Sequence, residues 1–174
     1  MAWNAGSDSQ RGIGIGILRV LPFPQREKMT NSKISPARIL MVDDNRTDIL
    51  LMQRALVKAD FAHELRSAPD GQAATDLLKP GSNGSDADRP DLILLDLNMP
   101  RKDGFQVLKE LKGDPGLAGI PVVIYSSSSH PEDVRRCYAL HANSYIAKPM
   151  SYEELIEIAK LICGYWFQSV LLIH

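Results

Sequence analysis

The chain has 174 residues, enough for one domain of ordinary size with a sizeable core and tails. Its formal net charge is -1, so nothing suggests bulk electrostatic attraction to nucleic acid or to a membrane surface. Two cysteines, Cys137 and Cys163, both within amphipathic patterns, read as small apolar core residues in a reducing compartment rather than a disulfide framework or a metal set. No apolar segment approaches the roughly 20 residues that span a bilayer. The Gly-Ile alternation of residues 12–17 is short and lacks a cleavage site for export, so the expected location is cytoplasmic.

Residues 1–36 carry no sustained periodicity and are expected to form a largely disordered arm. Gly12, Gly14 and Gly16 imitate a dinucleotide fingerprint, but no strand precedes them and no helix follows, so they are no phosphate site. Met29 lies just before the organised part and is an alternative start.

From there strands and helices alternate. Residues 38–42 (RILMV) read as a buried strand that ends in Asp43-Asp44-Asn45. A helix follows, capped by Asn45 or Asp44, with Asp48 favouring the dipole in its first turn and Ile49, Met52 and Leu56 facing inward. The more polar strand His63–Ala68 suits a sheet edge, and the helix over 70–79 is expected to bury Ala73, Ala74, Leu77 and Leu78. Residues 80–90 are turn-formers, a surface loop.

The stretch 91–100 (DLILLDLNMP) organises the rest. Leu92, Ile93, Leu94 and Leu95 run without alternation, as a central parallel strand requires, and end on Asp96, where a carboxylate can be wetted. A helix over 105–112 turns Phe105, Leu108 and Leu111 inward, and a loop covers 113–120. Residues 121–125 form a fourth buried strand ending in Ser126. Ser129 and Glu132 suggest a capping box for the next helix, with Pro131 in its first turn. Residues 143–147 form a fifth strand ending in Lys148-Pro149, and the last helix opens at Ser151 with Glu154 as a second capping box and Met150 stapled onto Leu155. Five such units predict an α/β fold: a doubly wound five-stranded parallel sheet with helices on both faces.

In a parallel sheet every carboxyl end lies on one edge, and open α/β sheets place their sites there, where the strand order reverses. With the flavodoxin-like order 2-1-3-4-5, Asp43, Asp44 and Asp96 face one another across that crevice. Carboxylates so placed need a cation, and hard oxygen ligands with an incomplete shell describe magnesium, Mg2+. Lys148 adds a flexible point charge suited to phosphate and Ser126 a hydroxyl donor. The chemistry that follows is covalent phosphorylation of Asp96. Taken singly, each group has a plainer reading: a helix start for Asp43-Asp44-Asn45, a solvated loop charge for Lys148, one of four adjacent serines for Ser126. Four matching strand ends in order weigh against all three.

Residues 35–163 resemble the receiver domain of bacterial two-component response regulators, through Asp43-Asp44, Asp96-Leu97-Asn98-Met99-Pro100 with Asp103-Gly104, Ser126, and Lys148-Pro149. The resemblance implies that Asp96 accepts a phosphoryl group from a sensor histidine kinase. It implies that Asp44, Asp96 and the backbone carbonyl of Asn98 ligate Mg2+, with Asp43 acting through water. Ser126 would bind the phosphoryl oxygen and Lys148, commonly on a cis bond to Pro149, would pair with the aspartyl phosphate. Tyr145 matches the family's aromatic switch, which turns inward as Ser126 moves, and the surface of the fourth helix, fifth strand and fifth helix is the expected output face.

After Lys148 only one helix and a tail (164–174) remain, so a single-domain regulator is expected to act through partners. Leu155, Ile158, Ile162 and Tyr165 make one stripe on that helix, and Ile156, Cys163, Trp166 and Val170 a second. Two stripes argue for a homodimer through the C-terminal helix and tail, unless Tyr165-Trp166-Phe167 folds back on its own domain. Asp43-Asp44-Asn45 with Asp48, the run from Ser126 to His130 and the aromatic tail are similar to the small regulators that partner bacterial phytochromes. Two rivals remain: a degenerate receiver that only binds proteins, and an Asp-dependent phosphatase of the haloacid dehalogenase type. The latter wants a second Asp where Asn98 stands.

Overall fold

Burial on both faces is what selects these strands. In the computed structural model, which describes residues 36–79, 89–170 and 172, β1 (Ala37–Val42), β3 (Leu92–Leu95) and β4 (Val122–Ser126) are almost wholly buried. β2 (His63–Ala68) and β5 (Ser144–Ala147) are more exposed, as edge strands are. All neighbours pair in parallel in the order β2-β1-β3-β4-β5. The flavodoxin-like expectation therefore holds. The N-terminal segment expected to form an arm (through residue 35) and most of the 80–90 loop lie outside the described residues.

Helices cover both faces. Leu40, Val42, Ile93, Leu95 and Ile124 pack with α2 (Gly71–Leu78), α3 (Gly104–Gly113) and α4 (Pro131–Ala139). Ile39, Met41, Leu92, Leu94 and Val123 pack with α1 (Arg46–Lys58) and α5 (Tyr152–Cys163). No helix among the described residues is long and apolar enough to cross a membrane. Both cysteines are buried and unpaired, and burial pushes each thiol up to about 11.

Several local expectations need correcting. The inner stripe of α2 is Gly71, Ala74 and Thr75, with Leu78 half-buried behind them, and Leu77 is 50% exposed. The reason lies in α3: a Cβ on Gly71 would sit 2.4 Å from Val107 Cγ2, so the helices touch at the glycine and α2 is rotated accordingly. Ser129 and Glu132 form no capping box. His130 is the N-cap of α4 and contributes no side-chain bond, while Ser128 Oγ donates to Asp133 and accepts from the His130 N–H. At α5, Ser151 Oγ accepts from the Glu154 N–H, but Glu154 Oε2 accepts from Met150 N–H rather than from Ser151. Met150 is 98% exposed and staples nothing. The reciprocal box that does form joins Asp103 and Gln106 at α3. No described peptide bond is cis, so Lys148–Pro149 is trans.

A π-helical turn, Gly164–Ser169, continues α5, and Trp166 and Phe167 pack against the α1/α5 core. Phe167 stacks on Phe61 at 5.5 Å. Part of the second stripe is thus covered within the chain, while Leu161 and Tyr165 stay exposed.

Candidate functional site

The sheet register brings the candidate groups together. Val42 pairs with Leu95, so Asp43 and Asp96 leave neighbouring strands on the same rung. The ladder runs past the strands: Asp43 N–H donates to Ala68 O (3.0 Å), Asp96 N–H to Val42 O (2.9 Å) and Lys148 N–H to Ser126 O (2.8 Å). Backbone hydrogen bonds, rather than loop chance, therefore position Asp43, Asp96 and Lys148.

Both oxygens of Asp96 are engaged. Oδ1 accepts from Ser126 Oγ (2.6 Å) and from the N–H groups of Leu97 (2.7 Å) and Asn98 (3.3 Å), while Oδ2 accepts from Lys148 Nζ (2.8 Å). Lys148 Nζ also donates to Asp43 Oδ2 (2.8 Å) and Asp48 Oδ2 (2.7 Å), so its three donors meet three carboxylates. Asp43 further accepts from the Asn45 N–H (2.8 Å), and Asn45, the actual N-cap of α1, accepts from Thr47 N–H.

The electrostatics follow from burial and pairing. Burial pushes the Asp43 carboxyl above the usual range, against the Lys148 and Asn45 hydrogen bonds that pull it down. For Lys148 burial opposes the charge, but the hydrogen bonds it donates to Asp43, Asp48 and Asp96 outweigh it and raise the ammonium above its ordinary value. Burial pushes the Tyr125 phenol, 5.6 Å from Lys148 Nζ at its ring centroid, up to about 12.

Asp43, Asp44 and Asp96 each offer one carboxylate oxygen, all within 4.8 Å of one another, with Asp44 exposed to solvent. Three hard anionic oxygens open to water on one side are a donor set that suits Mg2+. Tyr145, half-buried on β5, points its hydroxyl at Ser128 O (2.8 Å) in the loop after Ser126.

Two contributors escaped the sequence reading. Asp48 looked like a dipole residue but reaches Lys148; the available signal was its place in the first turn of a helix that starts at the carboxyl edge. Gly104 looked like part of a motif only. A Cβ there would lie 2.2 Å from the Asp96 carbonyl oxygen, and its N–H donates to Leu97 O (3.0 Å), so the glycine lets α3 press against the Asp96 backbone.

Fold and site together define a receiver domain. Residues 39–160 match the family "Response regulator receiver domain", and the chain belongs to it. Among curated relatives, response regulator Rcp1 of Synechocystis sp. is 38% identical over 144 residues, 83% of this chain and 98% of that protein. Among solved structures, the phosphorylated cyanobacterial phytochrome response regulator RcpA is 42% identical with a TM-score of 0.73, covering 80% of this chain and 99% of that one. The Mn2+-bound form of Rcp1 is 39% identical, with a TM-score of 0.72 over 80% of this chain and 100% of that one. The chain is therefore a receiver that resembles phytochrome response regulators.

Proposed function

We propose that this protein accepts a phosphoryl group on Asp96 from the phosphohistidine of a sensor histidine kinase and thereby switches partner binding in a phosphorelay. The observation that carries this reading is the convergence of Ser126 Oγ and Lys148 Nζ on the two oxygens of Asp96, with Asp43 beside them. An Asp96 oxygen attacks phosphorus and forms the new P–O bond. The P–N bond breaks, and the imidazole leaves with its electron pair, its other ring nitrogen carrying the proton. Lys148 and Ser126 hold the charge of the transferred oxygens.

Asp43, Asp44, Asp96 and the backbone carbonyl of Asn98 are the groups assigned to Mg2+. When bound, the ion would screen the acidic cluster from the incoming phosphoryl group. Tyr145 and Ser126 form the switch: phosphorylation adds a charge of about -1.5 to -2, Ser126 follows it, and Tyr145 closes behind. Residues 37–163 act as the receiver in the cytoplasm. Similarity to RcpA and Rcp1 supports a phytochrome-type kinase as the partner, and exposed Leu161 and Tyr165 support a homodimer through the C-terminal helix and the 164–174 tail.

The test is phosphoryl uptake, with Mg2+, from a phosphorylated histidine kinase or an acyl phosphate, read as a mass increase of one phosphoryl group. Wild type gains it and Asp96→Asn does not. Uptake by the variant equal to wild type would remove Asp96 as the acceptor. For the dimer, Tyr165→Asp is expected to shift sedimentation toward monomer without changing uptake.

A further inference from the structure

Of the three carboxylates on Lys148, Asp48 alone lies outside the trio of Asp43, Asp44 and Asp96 that can share a cation. It belongs to a different element as well, the first turn of α1, whereas Asp43 and Asp96 directly follow β1 and β3. Asp48 is also the more accessible: its side chain is 25% exposed against 1% for Asp43 and 6% for Asp96.

Lys148 has somewhere else to go. It lines a cavity of about 130 Å³ together with Asp48, Leu51, Tyr125, Tyr152 and the Pro149-Met150 turn. The Tyr125 ring, 5.6 Å from Nζ, offers a face for a cation at that wall. A lysine ends a flexible four-carbon stem with several rotamers, so an ammonium beside a void stays in place only if something holds it.

We propose that Asp48 is a positioning residue for phosphoryl transfer: it anchors the Lys148 ammonium from the α1 side so that one donor stays aimed at Asp96 when Asp43 is engaged elsewhere. This rests on the phosphoacceptor reading above. Asp43 and Asp96 change partners during the reaction, the first toward the cation and the second toward phosphorus. Asp48 changes none, and its grip fixes Nζ at one point on the wall of the neighbouring cavity, within reach of Asp96. Asp48 itself touches neither the donor nor the reacting oxygen.

Position and charge make different forecasts. An Asn at 48 keeps an acceptor for the ammonium but loses the charge; an Ala loses both. If Asp48 positions Lys148, Asp48→Asn keeps the transfer rate within about threefold of wild type, while Asp48→Ala loses about tenfold, the equivalent of some 1.4 kcal/mol of the lysine's rotamer freedom. The experiment follows the full-length chain with an acyl phosphate at saturating Mg2+, so that metal affinity does not enter the rate. In each turnover the Asp96 oxygen forms the new P–O bond as the donor's carboxylate leaves with the electrons of the bond that breaks. Melting temperatures and Mg2+ titrations of both variants establish that each is folded and metal-saturated. The expected result is the split between Asn and Ala, with Asp48→Glu restoring most of the rate. Equal losses for Asn and Ala, or no loss for either, would overturn the positioning role. Failure of wild type itself to take up a phosphoryl group is a separate result, and it would sink the acceptor assignment at Asp96 along with this one.

Discussion

Two lysines at opposite edges of one sheet solve the same geometric problem with different chemistry. Lys148, at the carboxyl edge, spends its donors on three carboxylates. Lys112, at the end of α3, spends its own on the Ala118 and Ile120 carbonyls (3.1 and 2.8 Å) and Asn143 Oδ1 (3.0 Å), which also accepts from Val122 N–H. Neutral acceptors satisfy Lys112 without matching its charge, and burial lowers its pKa; anionic acceptors raise that of Lys148 in spite of burial. Lys112, the structural one of the two, ties the α3–β4 loop to the start of β5. Lys148 stores paired charge where strands end, and such a group can be redirected.

The largest expected effect comes from breaking the charged set. Lys148→Met leaves Asp43, Asp48 and Asp96 without their cation and costs about 3 kcal/mol at neutral pH, as removal of one partner from a buried pair does. The loss shrinks on acidification. The Asp43 pKa is already raised in the fold, and loss of Lys148 raises it further, so stability is present at low pH and declines as pH rises through that value. Urea midpoints between pH 4 and 8 measure this, and a pH-independent loss would refute the electrostatic account.

Gly104→Ala probes the same edge sterically. The new methyl lands on the Asp96 carbonyl, and forced repacking costs about 2 kcal/mol together with most of the phosphoryl uptake. Full uptake in a folded Gly104→Ala protein would mean that α3 does not set the place of Asp96. Lys112→Met removes three hydrogen bonds to neutral groups and costs about 1.5 kcal/mol, leaving phosphoryl transfer unchanged. Its pH signature is opposite in sense. A base with a lowered folded pKa lets stability rise as pH climbs from that value toward the ordinary 10.5, whereas the raised Lys148 contributes fully below 10.5 and is lost above it. The smallest effect is ligand linkage: Mg2+ at ten times its dissociation constant stabilises by about 1.4 kcal/mol. Lys112→Met should respond as wild type does and Asp44→Asn less, which thermal melts with and without the ion would decide.

Much of this was legible in the chain itself, for a physical reason. Short unalternating apolar runs such as Leu92 to Leu95, bounded by turn residues, suit strands covered on both sides, and polar groups directly after such strands surface on one edge of a parallel sheet. Strand type and the gathering of Asp43, Asp96, Ser126 and Lys148 on one edge therefore follow from local pattern plus the handedness of crossovers, whereas the order β2-β1-β3-β4-β5, taken as an expectation from the sequence, is decided by the assembled sheet. What depended on contacts between elements was hidden. The face α2 turns inward was decided by Val107 arriving at Gly71, not by the apolar count that favoured Leu77. The N-cap of α4 is His130, with no side-chain bond, while Ser128 pairs with Asp133 and its carbonyl accepts from the Tyr145 hydroxyl across the loop after Ser126. Phe167 found Phe61 across the sequence, which no period could announce. Asp48 turned from a dipole residue into a partner of Lys148 only once α1 and the β5–α5 turn were set side by side. Periodicity and strand-end chemistry are written within a few residues; rotation of one helix against another, and the reach of a side chain across a crevice, are settled by packing alone.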